Sequence, residues 1–473
     1  MVGVSDVTQR MVIRLIGLFV VVAVAVTLGV TLLRPDPQPV AAVRPSLASR
    51  VPGAVMPAEA ADVLPAVELE SAVPATTALK QILTPLLDAP ALGPSVSFDI
   101  LDPLTGEHLM TQDANTPRTP ASTAKLLTSA AALTALGPTT TLPTSTVLGA
   151  RPGQVILVGG GDVLLGVGKS DPDQVNGHAG LTTLAQQTAK ALIAQGLTRI
   201  RLALDDTLFT GPTSAPGWDT TDVGDGFVAP IMPLEINAGR ITATDYSRRS
   251  GDPALAAARI FAQLLGKQKI TVIGSVSRAK ASAQAVRLGR VRSAPISGQV
   301  EYALTESDNT VAETLGRLVA AKAGRPASFA EVGPAVLAVD RSIGVPVTGA
   351  VMSDGSGLSA SSRVPALALT GVLALATGTE QPQLRSLLSG MPIAGVSGTL
   401  RERFLGPSQR AAAGVVRAKT GTLTGVTSLA GTVLDQDGRL LVFAAMADQV
   451  KSTATSRQAL DRLATTLATC GCR

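Results

Sequence analysis

Ser122 and Lys125 stand three residues apart in Pro120-Ala121-Ser122-Thr123-Ala124-Lys125-Leu126-Leu127. At helical spacing the lysine sits one turn above the serine hydroxyl, on the same face. A serine is a poor nucleophile until a base within hydrogen-bond reach takes its proton. A lysine can be that base once burial or a neighbouring cation lowers its pKa. Alone, the triplet is also an ordinary helix start, so the reading depends on partners elsewhere. Ser307-Asp308-Asn309 begins 185 residues after Ser122, and Lys419-Thr420-Gly421-Thr422 begins 112 residues after Ser307.

Composition narrows the chemistry these residues can run. The 473-residue chain has two histidines, His108 and His178, and two cysteines, Cys470 and Cys472. A His/Cys zinc site has almost no ligands to draw on, and a Ser-His-Asp triad would need one of two isolated histidines. Hydrolysis is therefore expected to use serine, lysine and carboxylates, with no metal and no cofactor. The net charge is only +5, aromatics are 2%, and no Lys/Arg cluster is interleaved with aromatics. Nucleic acid is thus not an expected partner.

The elements that position the motifs follow from the patterning. Residues 15–33 are 19 positions without a charge, preceded by Arg10 and Arg14 and followed by Arg34. The length matches a bilayer and the flanking arginines place 1–14 in the cytoplasm. The run is long for a signal peptide, and Val40-Ala41-Ala42 offers only a weak cleavage site, so an uncleaved anchor is favoured over a cleaved leader. Either way the rest of the chain is exported. Residues 34–77 carry eight prolines and read as a semi-extended tether.

From about residue 78 the pattern is that of a folded body. Leu79 to Leu87 reads as a short helix. Ser95 to Asp102 alternates with period two and returns after Pro103-Leu104-Thr105-Gly106 as a hairpin strand over Glu107 to Met110, carrying His108 as a structural residue. A helix runs from Ser122 through Leu136. Between about 145 and 290 come a strand at 154–158, a tight turn at Gly159-Gly160-Gly161-Asp162, and a helix over Leu181 to Gln195. A strand over Arg199 to Leu204, a helix over Pro253 to Leu265 and a strand over Ile270 to Val276 follow. The glycine run lacks Gly-Lys-Ser/Thr and is not a phosphate loop. Tyr302 to Ala320 is helical in pattern. Lys419 lies on a strand, followed by strands over Thr427 to Leu434 and Arg439 to Ala447 and a last helix over Ser456 to Leu467.

Taken together, S-x-x-K, S-D-N and K-T-G in that order resemble the signature of penicillin-binding proteins and serine β-lactamases. The long interval between the first two motifs resembles the D-alanyl-D-alanine carboxypeptidase/endopeptidase family called DacB, the low-molecular-mass class C penicillin-binding proteins, of actinobacterial type. The resemblance covers about residues 80 to 468. It includes Asp205-Asp206-Thr207-Leu208-Phe209, Pro216-Gly217-Trp218, Asp354-Gly355-Ser356-Gly357-Leu358-Ser359 and Gly398-Thr399-Leu400 with Arg403. It implies an α+β penicillin-binding transpeptidase fold, an antiparallel sheet flanked by helices plus an all-helical lobe. A mixed α/β domain would be inserted between the first and second motifs. The divisions expected are 78–144 and 291–473 for the penicillin-binding domain and 145–290 for the insertion.

The roles implied are a serine D-Ala-D-Ala carboxypeptidase, with D,D-endopeptidase action as the family's second activity, on peptidoglycan stem peptides and inhibited by β-lactams. Ser122 attacks the carbonyl, and Lys125, its pKa lowered by the Lys419 ammonium, takes the proton. Ser307 bridges the lysines and passes the proton to the leaving amine. Asn309 holds a substrate amide, Gly421 lets the substrate backbone approach the strand, and Lys419, Thr420 and Thr422 hold a terminal carboxylate. The oxyanion is met by the backbone N–H groups of Ser122 and Thr422. Asp354 and Ser356 are expected near the cleft, outside the catalytic set. A serine β-lactamase is the second reading and would need a deacylating carboxylate, for which Glu331 is in the right interval but lacks the accompanying asparagine. A catalytically inactive wall-binding protein is the third. Cys470 and Cys472 can pair in an oxidising compartment.

Overall fold

A computed structural model of the protein describes residues 71–244 and 246–472. The apolar run at 15–33 and the tether up to residue 70 lie outside the described residues. Among those described, no helix is long and apolar enough to cross a membrane.

The body opens with α1 (Thr76–Leu87), β1 (Ser95–Asp102) and β2 (Glu107–Gln112), the expected helix and hairpin. A 3-10 turn at Ala121–Ala124 carries Ser122 and leads into α2 (Lys125–Leu136). The interval to the second motif holds β3 (Thr141–Leu148), β4 (Gln154–Val158), β5 (Asp162–Leu165), α3 (Leu181–Ile193) and β6 (Arg199–Asp205). It continues with β7 (Leu234–Ile236), α4 (Pro253–Lys267), β8 (Thr271–Val272), β9 (Ser277–Arg278) and β10 (Arg287–Pro295). Helices α5 (Ile296–Thr305), α6 (Asn309–Lys322), α7 (Phe329–Ser342), α8 (Ala366–Thr377) and α9 (Arg385–Gly390) follow. The chain closes with β11 (Arg417–Leu423), β12 (Val426–Leu434), β13 (Leu440–Asp448) and α10 (Thr453–Ala468).

Two sheets organise these elements. The first is antiparallel throughout, in the order β11-β12-β13-β1-β2. One face packs on α1 and α10 through Phe98, Leu429, Phe443, Leu83 and Leu463. The other, through Ala430, Ala444 and Met446, joins the core of the helical lobe built from α2 and α5 to α9. Burial on both faces explains why β13 reads as a nearly continuous apolar run. The second sheet, in the order β10-β3-β4-β6-β8, is mixed, with β4, β6 and β8 parallel, and carries α3 and α4 on a core of its own.

Two expected elements differ. The run Tyr302 to Ala320 is not one helix: it is α5 and α6, broken at residues 306–308. Ser307 has φ 54°, left-handed for a residue with a side chain, and the Asp308 carboxylate accepts from Val311 N at 3.0 Å as the N-cap of α6. The expected strand Ile270 to Val276 shrinks to Thr271–Val272, because Gly274 turns the chain with φ 72° before β9. At Gly159-Gly160-Gly161 the tight turn is a close crossing. A Cβ on Gly160 would lie 2.1 Å from the Pro143 carbonyl oxygen, and Gly161 has φ 99°.

Candidate active site

The turn that presents Ser122 is held from below. Ala121 has φ 48°, and the Pro120 carbonyl accepts from both the Thr123 and Ser428 hydroxyls at 2.6 Å. Strand β11 crosses directly over it. A Cβ on Gly421 would lie 2.1 Å from Ser428 Oγ and 2.7 Å from the Pro120 carbonyl oxygen, so the protein's own packing already requires glycine there.

Lys125 is fully buried and its ammonium donates three hydrogen bonds: to Ser122 Oγ at 2.9 Å, to Asn309 Oδ1 at 2.6 Å and to the Ser356 carbonyl at 2.9 Å. Burial lowers its pKa to about 8, against the pull of the Glu313, Asp354 and Asp308 carboxylates. The sequence reading gave the Lys419 ammonium as the cause, whereas desolvation leads. Lys419 is also fully buried and is held well below the ordinary lysine value by burial and then by the repulsion of Lys125.

Ser307 bridges the lysines on one side only. Lys419 Nζ donates to Ser307 Oγ at 2.8 Å and to the Thr420 carbonyl at 2.9 Å, and the acceptors of Lys125 do not include Ser307. Asn309 Nδ2 donates to the Phe227 carbonyl at 3.0 Å, so both ends of that amide are engaged, with one N–H left over. Thr420 Oγ1 lies 2.8 Å from Thr399 Oγ1, and Thr422 Oγ1 accepts from Arg457 Nε at 3.3 Å. Ser122, Ser307, Asn309, Thr420 and Thr422 thus open onto one cleft of about 990 Å³. Its rim is acidic where the segment between the first two motifs contributes Asp219, Asp222 and Asp225, and basic where Arg401 and Arg457 stand.

Several residues outside the motifs complete the site. Asp354 accepts from the Gly357 and Ser359 amides and from Trp218 Nε1 at 2.9 Å. Glu313 accepts from the Gly355 and Ser356 amides. Neither Glu313 nor the Ser356 carbonyl was legible as a partner of Lys125. The available signal was Glu313 four positions after Asn309, one helical turn on. Glu331 pairs with Arg325 at 2.9 Å on the first turn of α7 and is not among the residues lining the cleft. His108 Nδ1 lies 2.8 Å from Asp99 Oδ1 on the β1–β2 hairpin, as a structural residue would. Cys470 and Cys472 are disulfide-bonded.

A serine held by a buried lysine, on the seam between an antiparallel sheet and a helical lobe, defines a serine hydrolase of the penicillin-binding class. Comparison with known proteins sharpens the class to a family. The D-Ala-D-Ala carboxypeptidase 3 (S13) family matches residues 78–255 and 242–469. The chain is 40% identical to the carboxypeptidase DacB of Mycolicibacterium smegmatis over 431 residues, covering 90% of this chain and 91% of that protein. It is 39% identical over 407 residues to a carboxypeptidase of Mycobacterium tuberculosis, covering 85% of this chain and 86% of the other. The structure superposes on penicillin-binding protein 4 of Haemophilus influenzae with a TM-score of 0.65 at 22% identity, covering 84% of this chain and 99% of that one. The chain belongs to the D-Ala-D-Ala carboxypeptidase (S13) family, and its fold is the penicillin-binding fold.

Proposed function

We propose that Ser122 is the nucleophile of a D-Ala-D-Ala carboxypeptidase acting on peptidoglycan stem peptides. The observation that carries this reading is the 2.9 Å contact from Lys125 Nζ to Ser122 Oγ, made by a lysine whose burial brings its pKa down to about 8. In its neutral form Lys125 takes the Ser122 proton as Oγ attacks the penultimate D-Ala carbonyl. The backbone N–H groups of Ser122 and Thr422 meet the oxyanion. Ser307, bonded to Lys419, hands a proton to the leaving D-Ala amine, and water then releases the acyl group. The free N–H of Asn309 holds a substrate carbonyl. Thr420, Thr422 and Lys419 hold the terminal carboxylate, with Arg457 beside Thr422 adding to the positive field. A β-lactam follows the same first step and stays attached, since Glu331, in the interval where a β-lactamase carries its deacylating carboxylate, pairs with Arg325 and does not line the cleft.

The same reading assigns 78–144 and 291–473 to the catalytic domain and 145–290 to the insertion. Residues 15–33 would anchor the enzyme in the membrane, with its body outside the cytoplasm. Opening of D-Ala crosslinks is a second activity of the same site.

The experiment is to incubate residues 71–473 with labelled penicillin and, separately, with a stem peptide ending in D-Ala-D-Ala. A persistent adduct together with D-Ala release is expected, and Ser122→Ala should abolish both. Rapid penicillin turnover would favour the β-lactamase reading, and labelling that survives in Ser122→Ala removes the nucleophile assignment.

A further inference from the structure

Lys125 is a base only if something fixes where its ammonium sits and which protons it can give up. Two of its three acceptors, Ser122 Oγ and Asn309 Oδ1, belong to the motifs. The third is the carbonyl of Ser356, in a loop that belongs to none of them. That loop, residues 354–359, is tied within itself by Asp354, which accepts from Gly357 N and Ser359 N. Gly357 has φ 75°, and a Cβ there would lie 1.9 Å from the Ala121 carbonyl oxygen, so the loop presses directly on the turn that presents the nucleophile.

It is also held from α6. Glu313, fully buried, accepts from Gly355 N at 2.9 Å through Oε2 and from Ser356 N at 2.7 Å through Oε1. Thr128, three residues after Lys125 on α2, donates to the Gly355 carbonyl at 2.6 Å and ties the loop to the helix of the base. With Thr128 on its carbonyl, Glu313 fixes the peptide between Gly355 and Ser356, and Asp354, which accepts from Gly357 N at 2.8 Å, fixes the next peptide, whose oxygen is the Ser356 carbonyl.

We propose that Glu313 is a positioning residue for the general base: by clamping the Gly355 and Ser356 amides it anchors the loop that, with Asp354 on the next amide, keeps the Ser356 carbonyl on Lys125 Nζ and stabilises the protonated lysine until substrate arrives. The proposal rests on the Ser122–Lys125 reading and adds to it a control on when the base becomes free.

The charged groups around the pair are few. Lys125 faces Glu313 from α6, Asp354 from the loop, Asp308 from the α5–α6 junction and Lys419 from β11. Glu313 faces Asp354 and, one turn along α6, Arg317. Burial beside Asp354 pushes Glu313 up to about 8. With its carboxyl pushed that high, what Glu313 supplies is the clamp: in Glu313→Gln the amide –NH2 opposes one of the two backbone N–H groups, so the loop no longer keeps the Ser356 carbonyl on Lys125. Loss of that acceptor withdraws support from the protonated lysine and lowers its pKa.

The test is the rate of Ser122 acylation by a chromogenic cephalosporin, followed from about pH 5 to about pH 10 in wild type, Glu313→Gln and Glu313→Asp. The acid limb of the Gln variant is expected to move down by about one pH unit, with the plateau lowered about tenfold. Asp keeps two acceptor oxygens and no opposing –NH2 but reaches only one amide, so its limb is expected to move in the same direction by a smaller step. A plateau that falls while the limb stays in place, in whichever variant folds, reduces Glu313 to a structural residue and overturns the proposal, as do profiles unchanged in both. Mass spectrometry of the adduct separates this failure from a deeper one. Label on Ser122 with an unmoved limb removes only the Glu313 role, whereas no label on wild-type Ser122 removes the catalytic reading beneath it.

Discussion

At the scale of the residue, Lys125 carries opposed demands. Full burial disfavours its charge, yet three acceptors and the nearby carboxylates favour it, and the balance is a pKa of about 8. At neutral pH most of the free enzyme is therefore protonated at the base. Acylation of the wild-type protein should rise about tenfold per pH unit below about 8 and level off above it. Lys125→Ala should cost a factor of about 10² to 10⁴ across the range, and Lys125→Arg should not rescue it, because a guanidinium does not deprotonate. A profile flat through that region would mean that Lys125 is not the titrating base. The pair was legible in the sequence because both side chains lie within one local turn. The leading cause of the shifted pKa was not, since burial is contributed by α6, β11 and the loop at 354–359, which no local pattern connects.

At the scale of the element, β11 and the nucleophile turn are packed so closely that one hydrogen in place of a methyl sets the spacing. Gly421→Ala would drive its Cβ toward both Ser428 Oγ and the Pro120 carbonyl. A loss of about 2–3 kcal/mol in unfolding free energy is expected, together with slower acylation as the Ser122 turn is displaced. Adding Ser428→Ala removes the nearer obstacle and leaves the backbone one at 2.7 Å, so stability should recover only in part. Full recovery, or no loss in the single variant, would show that the crossing has more slack than these distances imply. The strand itself was readable from its β-rich composition and the alternation beyond it. The break between α5 and α6 was not. Apolar residues continue in helical phase through Tyr302, Leu304, Val311 and Leu315, so periodicity alone joins what the Asp308 cap separates. That break lifts Ser307 into the cleft, and it shows as a functional feature only once the left-handed φ is seen.

At the scale of the whole molecule, the segment between the first two motifs does more than decorate the catalytic body. The Phe227 carbonyl accepts from Asn309, Ala229 N donates to Thr310 Oγ1, and Arg240 donates to Asp308 at 2.7 Å, so this segment holds the second motif in place. Arg317 of α6 donates to the Pro212 carbonyl at 2.6 Å and lies over the rings of Phe329 and Phe209 at 4.1 and 5.5 Å. Val163, Leu164, Phe209, Val228 and Ile231 are buried in the same core as α2, α6 and α7. Strands β3 and β10 are antiparallel neighbours, with Leu148 N donating to the Val286 carbonyl, so a short turn could join Leu148 to Arg287 without straining either strand. The excised protein would keep Ser122, Lys125, Ser307, Asn309 and Lys419. It would lose burial worth on the order of 10 kcal/mol, comparable to the whole stability of an ordinary domain. We therefore expect that protein to show no cooperative thermal transition by circular dichroism and no penicillin adduct. A deletion that melts cooperatively and labels at Ser122 would mean that the helical lobe closes on itself, and that the hydrogen bonds from Phe227, Ala229 and Arg240 are dispensable for the second motif.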